Sequence, residues 1–401
     1  MGSLGLTSGF EPSEWLDPGE LAGDWPHERN LAMFQFADHR CFVDTFDGLV
    51  RAPGVEVVLD ATVLKLRTDP ATGAVATAAV SSLDGNRFSV AADRFVLACG
   101  GIDNARLLLA SQDRNPAGLG NDHDLVGRYF MDHLSIDSGF VRPATRDLPW
   151  VELFGERRDE RGSKFQAMYW HGEELLRERG LLNAAFWINF EAGSSASPGV
   201  LSLRALHGGR LTQPAIAGRA RHASQVVLHP IPVSRFTLAR VANRYPPPRI
   251  LAFRIMAEQA PNPDSRITLS GARDRLGVPL ARLDWRLSDV DLWSIRQHQD
   301  ALDEAMQAAG IGKMFGKFGD EQPRATLVSN YHHMGTTRMH PDPRRGVVAT
   351  DSRVHGVPNL FVAGSSVFPT GGYLNPTLTI IALAMRLAAC IRRESGALVL
   401  A

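Results

Sequence analysis

Three residues near the C-terminal end of the sequence, His332, His333 and Asn375, are of the types that chemistry at a hydroxyl group requires. Imidazole titrates at about pH 6.5, so either histidine can serve as a base around neutral pH. The Asn375 amide can donate a hydrogen bond to an oxygen atom. A neutral base and a donor aimed at oxygen together suit the oxidation of an alcohol, in which the hydroxyl group loses its proton.

The elements around these residues are predicted to bring them to one end of a buried strand. The apolar run 359–363 is short and is followed by the small residues 364–366, a pattern typical of a parallel strand whose C-terminal end faces a ligand. Asn375 is predicted as the N-cap, and Pro376 as the first residue, of a helix whose N-terminus points back toward that turn. Free N–H groups and about half a positive charge at a helix N-terminus stabilise a nearby anion. A plainer interpretation is a surface pair of histidines followed by an ordinary amphipathic core helix.

A second unit of strand, turn and helix is predicted over residues 94–110. An apolar strand leads to Gly100 and Gly101, and Leu107 to Leu109 follow on the side of the helix that would face the sheet. Many α/β folds contain one such unit, so the pattern is informative mainly because a similar unit occurs at 359–393.

Strands are also predicted elsewhere in the chain. Four runs are expected to form a meander with a hairpin signal at Asp84-Gly85-Asn86: 55–59, 62–66, 74–82 and 87–90. Residues 135–329 mix short apolar runs with Pro, Arg, Trp and Gly, which predicts an antiparallel sheet with covering helices and long loops. Ser288 is predicted to cap a helix that ends at Ala309.

The overall composition narrows the range of partners. Lys+Arg and Asp+Glu both number 43, so net charge gives no reason to expect binding to nucleic acid or to an anionic membrane. Cys41, Cys99 and Cys390 lack the spacing of metal ligands, and Cys99 and Cys390 lie inside apolar runs. We therefore predict buried free thiols, with no disulfide framework and no metal site. No apolar run approaches the ~20 residues that cross a bilayer, so no membrane span is expected. A cytoplasmic location is favoured, although a missing N-terminal segment could have held a signal.

The C-terminal stretch resembles the signature of the glucose–methanol–choline (GMC) oxidoreductases, flavoenzymes that oxidise alcohols and sugars with FAD. The run HHMG at 332–335 is similar to their H-x-M-G motif, and the run NPTLT at 375–379 matches their N-P-T-L-T motif. The similarity is greatest to the pyranose oxidase and fructose dehydrogenase side of the superfamily and extends from about Leu31 to Ile391. It implies oxidation of a CH–OH group with hydride transfer to flavin N5, His332 as the base, Asn375 as its catalytic partner, and a structural role for His333.

The same resemblance implies where cofactor and substrate would be contacted. FAD would lie against nine residues: Val63, Cys99, Gly100, Gly101, Asn104, Gly364, Ser365, Pro376 and Thr377. Ser366 is a further expected contact, because many members of the family carry Asp in this turn and serine hydroxyls would take its place. Glu258 and Gln259 are expected to face the substrate. Asp132 and His133 also stand side by side, but the family pattern assigns them to structure.

The predicted fold combines α/β and α+β architecture. Residues 30–134 are assigned to the first part of a discontinuous, Rossmann-like FAD-binding domain, and residues 330–401 to its C-terminal part with the catalytic motif. Residues 135–329 are assigned to a substrate-binding domain built on an antiparallel sheet of the GMC type.

A Gly-x-Gly-x-x-Gly run, whose glycines let a backbone approach a pyrophosphate, does not occur in the sequence. GMC enzymes carry this run near their N-terminus. Three explanations are open: the sequence is a fragment, which is favoured; the missing part is a separate polypeptide; or the protein does not bind FAD. The expected partners are an alcohol or sugar and an N-terminal FAD-domain polypeptide. The rival interpretation is a truncated or split homologue without independent flavin binding, which acts as a partner subunit or is inactive.

Overall fold

The two units of the computed structural model are each assembled from segments that are far apart in the sequence. The structure describes residues 31–36, 46–144, 148, 154–155, 157–158, 164–189, 198–207, 222–241, 250–318 and 328–396. Unit 1 takes its described residues from 31–50, 136–256 and 295–318. Unit 2 takes its described residues from 51–135, 257–294 and 328–396.

The elements are numbered in chain order. The strands are β1 (Leu31–Phe36), β2 (Ala61–Thr68), β3 (Val75–Ser82), β4 (Arg87–Ala91), β5 (Phe95–Leu97), β6 (Leu134–Val141), β7 (Arg157–Arg158), β8 (Lys164–Trp170), β9 (Ala184–Asn189), β10 (Leu251–Ala257), β11 (Arg266–Arg273), β12 (Pro279–Asp284), β13 (Met314–Phe315), β14 (Val328–Ser329) and β15 (Leu360–Val362). The α-helices are α1 (Asp47–Val50), α2 (Gly100–Ala110), α3 (Glu173–Arg179), α4 (Pro198–His207), α5 (Pro230–Val241), α6 (Asp289–Ala308) and α7 (Thr377–Glu394), and a 3-10 turn spans Ser365–Val367. Among the described residues, none of the helices is both long and apolar enough to span a bilayer.

Unit 1 is built on a sheet with the strand order β1-β8-β9-β10-β6-β13, and β7 also pairs with β8. Strand β8 runs antiparallel to β1, β7 and β9, and β6 runs antiparallel to β13. Phe253 and Ile255 on β10 are at most 1% exposed, as is Ile136 on β6. Leu302 and Met306 on α6 are fully buried. Burial of these large apolar side chains gives the unit its hydrophobic core.

A pair of histidines is buried in unit 1. The rings of His171 and His298 are stacked with centroids 5.1 Å apart. His171 Nε2 donates to the His298 carbonyl (3.1 Å), and His298 Nε2 donates to the Leu182 carbonyl (2.8 Å). His298 Nδ1 is buried and has no hydrogen-bond partner in the described part of the chain. Burial lowers the pKa of His171 to about 3, with a further lowering from His298, and burial lowers the pKa of His298 to about 4.

Acid should therefore destabilise unit 1. Below about pH 6.5 the unfolded chain binds two protons that the folded chain does not, so the free energy of unfolding falls by about 1.4 kcal/mol per pH unit for each histidine. The loss continues down to about pH 4 for His298 and about pH 3 for His171. His298→Gln keeps an amide N–H for the Leu182 carbonyl but cannot bind a proton. In urea unfolding its stability should depend on pH more weakly than that of the wild type, by about 1.4 kcal/mol per pH unit.

The matched control is His123→Gln, because His123 is an exposed histidine in unit 2. If the wild type and His298→Gln lost stability in parallel between pH 6.5 and pH 5, the buried pair would not be the group that takes up the protons.

Unit 2 contains three small sheets and the helices α2 and α7. Strands β2, β3 and β4 form an antiparallel meander, and β11 and β12 form an antiparallel pair. Strands β5 and β15 pair in parallel, with Leu360 opposite Phe95 and Val362 opposite Leu97. The Asn359 side chain joins β15 to β3, because its Oδ1 accepts from the Val75 N–H (2.8 Å) and its Nδ2 donates to the Val75 carbonyl (2.9 Å).

Helix α6 begins where the sequence predicts. Ser288 precedes its first residue, and both the N–H and the Oγ of Ser288 donate to Asp291 Oδ2, at 2.6 and 2.8 Å. The carboxylate of the third helical residue thus accepts from both the backbone and the side chain of the residue before the helix, which is one half of a capping box. The second oxygen of Asp291 accepts from the Ala260 N–H (2.7 Å), which fixes the helix start against the loop after β10.

Two local predictions were wrong. Residues 55–59 form no strand, and Val55, Val57, Val58 and Leu59 are 51–78% exposed. None of the described strands pairs with this run, and strand propensity without a pairing partner does not produce a strand. Helix α7 begins at Thr377, so Pro376 and not Asn375 is its N-cap. Pro376 has φ −75° and ψ −10°, and its carbonyl accepts the first helical hydrogen bond, from Ile380 at 2.9 Å.

The compact units depart from the predicted domain bounds at two segments, although the domain assignment itself stays a prediction. Residues 31–50, expected in the first part of the FAD-binding domain, group with unit 1. Residues 257–294, expected in the substrate-binding part, group with unit 2. The reason is that β11 and β12 pack against α2. Arg106 on α2 donates to the Pro279 carbonyl (2.7 Å) and forms an ion pair with Asp274 (2.7 Å). The other two divisions, after residue 135 and before residue 328, lie within two residues of the predicted boundaries.

Candidate active site

The segment that carries the two predicted histidines is held by backbone pairing. Met131 and Met334 exchange two backbone hydrogen bonds, with N···O distances of 3.0 and 2.9 Å. Tyr331 has a φ of 59°, in the left-handed region that residues with side chains seldom adopt. At this turn Tyr331 is 82% exposed, whereas His332 is half-buried.

Two glycines permit the close backbone contacts that this arrangement needs. A Cβ on Gly335 would lie 2.2 Å from the Tyr129 carbonyl oxygen, and the φ of Gly335 is +86°. A Cβ on Gly101 would lie 2.4 Å from the His333 carbonyl oxygen. No side chain fits at either position without a shift of backbone. Gly335, which ends the HHMG run, and Gly101, the second glycine of the turn at 100–101, are therefore both required. They let the backbone of residues 328–335, called the histidine segment below, pack closely against its neighbours.

His332 is hydrogen-bonded to a second histidine. The Nδ1 atoms of His332 and His133 are 2.8 Å apart, and the two rings meet edge to face with centroids 4.9 Å apart. His133 Nε2 lies 3.3 Å from the Gly371 carbonyl oxygen. His133 is fully buried. The contact thus connects His332 to the loop that leads to Asn375 and α7.

The Asp132 carboxylate holds the backbone of both histidines. Its Oδ1 accepts from the N–H of His133 (2.7 Å) and from the N–H of His332 (2.9 Å). Its Oδ2 accepts from the Ser329 hydroxyl. Because these bonds go to main-chain N–H groups, Asp132 fixes the backbone positions of the two histidines. The ring nitrogens remain available for other partners.

The surroundings keep both rings neutral at pH 7. Burial lowers the pKa of His332 below its usual 6.5; His333 lowers it further, and the charge of Asp132 acts in the opposite direction. Burial also lowers the pKa of His133, which His332 lowers further, although the Gly371 carbonyl, Asp132 and Glu258 raise it. A neutral imidazole can accept a proton, so His332 is in the state that a base requires.

Glu258 and Gln259 lie in the same region, but side-chain oxygens of both residues accept hydrogen bonds from other residues of the protein. Glu258 is 6% exposed, and its Oε1 accepts from the Gly372 N–H at 2.9 Å. Gln259 is fully buried; its Oε1 accepts from the Asp132 N–H (3.1 Å) and from Trp285 Nε1 (2.9 Å). These contacts favour a supporting role for both residues, and their contact with a substrate stays a prediction.

Asn104 joins the two predicted cofactor turns. Its Oδ1 accepts from the Cys99 N–H (2.8 Å), and its Nδ2 donates to Ser366 Oγ (2.8 Å) and to the Ala363 carbonyl (3.3 Å). The residue is fully buried. Ser365 connects the second turn to the histidine segment, because its Oγ donates to the His333 carbonyl at 2.7 Å. Asn104 and Ser366 therefore shape the turns, and Ser365 ties them to the histidines.

The exposed atoms of these turns lie at the C-terminal ends of β5 and β15. Cys99 and Gly100 are exposed, and Gly364 is half-buried. The prediction of a buried thiol was therefore wrong for Cys99, because the residue lies in the turn after β5, and Cys390 is only partly buried. A Cβ at Gly100 or at Gly364 would meet nothing within 4 Å, and both have positive φ, at +81° and +108°. The carboxyl ends of parallel strands are where α/β sheets bind their ligands.

The remaining predicted site residues lie around the start of α7 and on β2. Asn375 and Thr377 are exposed and Pro376 is buried. In the described part of the chain no hydrogen bond joins Asn375 to His332, so the structure relates them only through the loop at Gly371. Val63 is 39% exposed on β2, opposite Val80 in the meander. The roles of these residues stay predictions.

The pair Asp132 and His133 is the feature that sequence reasoning left out of the site. The two residues lie immediately after Met131, which pairs with the histidine segment, but His133 and His332 are separated by 199 positions. An Asp-His dipeptide that contains a base and an acceptor was the only signal in the sequence.

One group of potential metal ligands occurs in the described residues. Asp351, Cys390 and Glu394 have ligand atoms within 4.8 Å of one another. The Arg353 guanidinium already donates to the carboxylates of Asp351 and Glu394. A cation therefore balances this group, and the prediction of no metal stays a prediction.

Known proteins resemble the chain in sequence and in fold. Residues 261–384 match the family model described as GMC oxidoreductase. The fructose dehydrogenase large subunit of Gluconobacter japonicus is 28% identical over 85% of this chain and 54% of that protein. The 2-methyl-1,2-propanediol dehydrogenase of Mycolicibacterium austroafricanum is 27% identical over 79% of this chain and 50% of that protein. Among solved structures, pyridoxine 4-oxidase from Mesorbium loti aligns with a TM-score of 0.55 and 15% identity, over 95% of this chain and 71% of that one.

These similarities test the predictions made from the sequence. The chain spans about half the length of the two relatives, 54% and 50%. The structural match and the mixture of helices with antiparallel sheets confirm the predicted fold class. The resemblance inferred from the HHMG and NPTLT runs is also confirmed, because both runs lie within residues 261–384, which match the GMC oxidoreductase family model.

Proposed function

We propose that this chain supplies the catalytic base and part of the cofactor site of an FAD-dependent oxidoreductase that acts on the CH–OH group of an alcohol or sugar. The observation that carries the proposal is His332, a half-buried and neutral imidazole whose segment packs on a turn at the ends of two parallel strands. Support for the substrate class comes from two relatives, whose names specify fructose and 2-methyl-1,2-propanediol.

The described residues fit part of a site for FAD. Cys99, Gly100 and Gly364 present backbone at the ends of β5 and β15, and at both glycines there is open space where a side chain would otherwise stand. In the part of the chain that the structure describes, no side-chain hydrogen bond caps the start of α7, and the N–H groups at a helix start favour negative charge. FAD, when bound, would accept the hydride that leaves the substrate carbon.

The protein groups would handle the proton and the oxygen. His332 takes the hydroxyl proton as the hydride leaves, because its pKa is held below 6.5 and the ring is unprotonated at pH 7. The Asn375 amide donates to the substrate oxygen. Glu258 and Gly372 hold the loop between the two residues, through the 2.9 Å bond from the Gly372 N–H. In this proposal His332 accepts the proton, Asn375 donates to the oxygen, and the loop at Gly372 holds the two residues in place.

A second candidate is that the chain works with another polypeptide that completes the cofactor domain. Within the described ranges, the sheet of β5 and β15 has two parallel strands, and Val96 in β5 is 45% exposed. In α7 only Leu387 is buried, while Leu378 and Met385 are 48% and 67% exposed. Parallel sheets are normally covered on both faces, so these apolar surfaces favour a covering segment. The name of the fructose dehydrogenase large subunit is consistent with an enzyme of several subunits.

The visible absorption spectrum of the purified chain during an anaerobic titration with FAD tests both candidates. We expect a shifted flavin band that bleaches when fructose or a diol is added, if the chain binds FAD by itself. A chain that leaves the FAD spectrum unchanged alone, but shifts it once an N-terminal polypeptide of a relative is supplied, supports the split arrangement. No shift under either condition would contradict the proposal of an FAD site.

A further inference from the structure

The contacts of His133 determine which of its nitrogens carries the proton. Its Nε2 lies 3.3 Å from the Gly371 carbonyl oxygen, and a carbonyl can only accept a hydrogen bond. Nε2 is therefore the protonated nitrogen of a neutral His133. Burial lowers the pKa of His133, which opposes protonation of the second nitrogen. Nδ1 of His133 is then left with a lone pair and acts as an acceptor.

This acceptor determines the tautomer of His332. The two Nδ1 atoms are 2.8 Å apart, so one of them must donate. Since His133 Nδ1 is the acceptor, His332 Nδ1 carries the proton, and the lone pair of a neutral His332 is on Nε2. The hydrogen bond runs from His332 to His133 and on to Gly371.

We propose that His133 is a positioning residue that holds His332 in the Nδ1–H tautomer, so that Nε2 of His332 is the atom that receives the substrate proton. This inference rests on the proposed role of His332 as the base. A carboxylate usually orients a catalytic histidine in this way, but here Asp132 binds the backbone N–H groups of both histidines, and the ring contact is made by a neutral imidazole.

The use of a neutral partner has a chemical consequence. A carboxylate beside Nδ1 would favour the imidazolium form and raise the pKa of His332. A neutral imidazole fixes the ring orientation and the tautomer without that charge. The unprotonated form of His332 is thereby kept at neutral pH, in agreement with the lowered pKa of this residue.

Two substitutions of His133 separate its two contacts. In His133→Asn the amide lies near the position of Nδ1 and can present an oxygen to the Nδ1–H of His332. In His133→Gln the amide reaches the position of Nε2 and can donate to the Gly371 carbonyl, but nothing accepts from His332. With FAD supplied, His133→Asn should reduce flavin at close to the wild-type rate. His133→Gln should be about 10- to 100-fold slower, part of the 10²- to 10⁴-fold effect of a general base, with little change in KM.

A purely structural role for His133 predicts the opposite order. If the bond to Gly371 were what matters, His133→Gln would retain activity and His133→Asn would lose it, and the proposal would be wrong. Urea unfolding of both variants accompanies the kinetics. A loss of rate in His133→Gln that follows a loss of folded protein, with the two variants equally slow, would also overturn the inference.

Nitrogen-15 NMR of the chain labelled at histidine tests the tautomer without any catalysis. The His332 signals are assigned by their absence from His332→Ala. We expect His332 to show a protonated Nδ1 and an unprotonated Nε2 in the wild type and in His133→Asn, and a mixture of tautomers in His133→Gln. A protonated Nε2 in the wild type contradicts the inference. If the tautomers are as expected but His332→Ala reduces flavin at the wild-type rate, the inference about His133 holds and the proposed function fails.

Discussion

Replacement of His332 by alanine should slow the reduction of bound FAD by a sugar or alcohol about 10²- to 10⁴-fold, the effect that loss of a general base commonly has. Without the imidazole, the hydroxyl proton has no acceptor in position as the hydride leaves the neighbouring carbon. The measurement is the single-turnover rate of flavin bleaching under anaerobic conditions. His333→Ala is the matched control, because the His333 ring packs on Phe130, with centroids 5.4 Å apart, and is predicted to be structural. Equal losses in the two variants would remove His332 from its assigned role.

The pH dependence of the same rate gives a second outcome of this prediction. The pKa of His332 is lowered from 6.5, first by burial and then by His333, so the unprotonated base is the main form at pH 7. The rate should be level above pH 7 and should fall only below 6.5, about tenfold for each pH unit beneath the pKa. A half-maximal rate above pH 6.5 would mean that Asp132 dominates the surroundings of the ring.

Replacement of Asn104 by alanine should lower the free energy of unfolding by about 2–4 kcal/mol, because three hydrogen bonds of a fully buried amide are lost. The Ala363 carbonyl and the Cys99 N–H lose these partners, and a small cavity remains between the two turns. The same variant should bind FAD more weakly, since Cys99 and Gly364 are no longer held in register. Urea unfolding and a flavin titration measure the two effects separately.

Ser366→Ala is the graded control for this second prediction. It removes the 2.8 Å bond from Asn104 Nδ2 and the 2.8 Å bond from Thr337 Oγ1, but Asn104 keeps Cys99 and Ala363 as partners. We expect a loss of stability smaller than that of Asn104→Ala. If Asn104→Ala had the same midpoint of urea unfolding as the wild type, the hydrogen bonds of Asn104 between the two turns would contribute nothing to the stability of the fold.

Much of unit 2 could be predicted because its signals are local. The runs at 62–66, 74–82 and 87–90 alternate or are apolar, and they form β2, β3 and β4. Gly100 and Gly364 mark the turns that end β5 and β15, since backbone with positive φ occurs within three residues of the last residue of each strand. The start of α6 could also be predicted, because Ser288 and its partner Asp291 lie three residues apart. Patterns of this kind are contained within a few neighbouring residues.

The wrong strand prediction and the omission of His133 concern contacts between distant residues. The run 55–59 has strand propensity, but its neighbours in space decide whether it pairs, and they are not recorded in the run itself. Residues 257–294 group with unit 2, in which Arg106 pairs with Asp274, 168 positions away. The inferred role of His133 depends on His332, which is 199 positions away, and on the backbone carbonyl of Gly371. A backbone contact of this kind leaves no pattern of residue types in the sequence. A single sequence gives no measure of such distances.

The bond between Asn359 and Val75 joins residues 284 positions apart, which bears on how the chain folds during synthesis. At about 5–20 residues per second, a ribosome needs roughly 15–60 s to add the residues between them. For that time β3 lacks the amide that joins it to β15, and β5 lacks its parallel neighbour. The segments that make up most of unit 1 lie in this interval and leave the ribosome before β15. Unit 2 therefore cannot close before β15 has been made, and the contacts of its turns with the segment at 328–335 become available only near the end of synthesis.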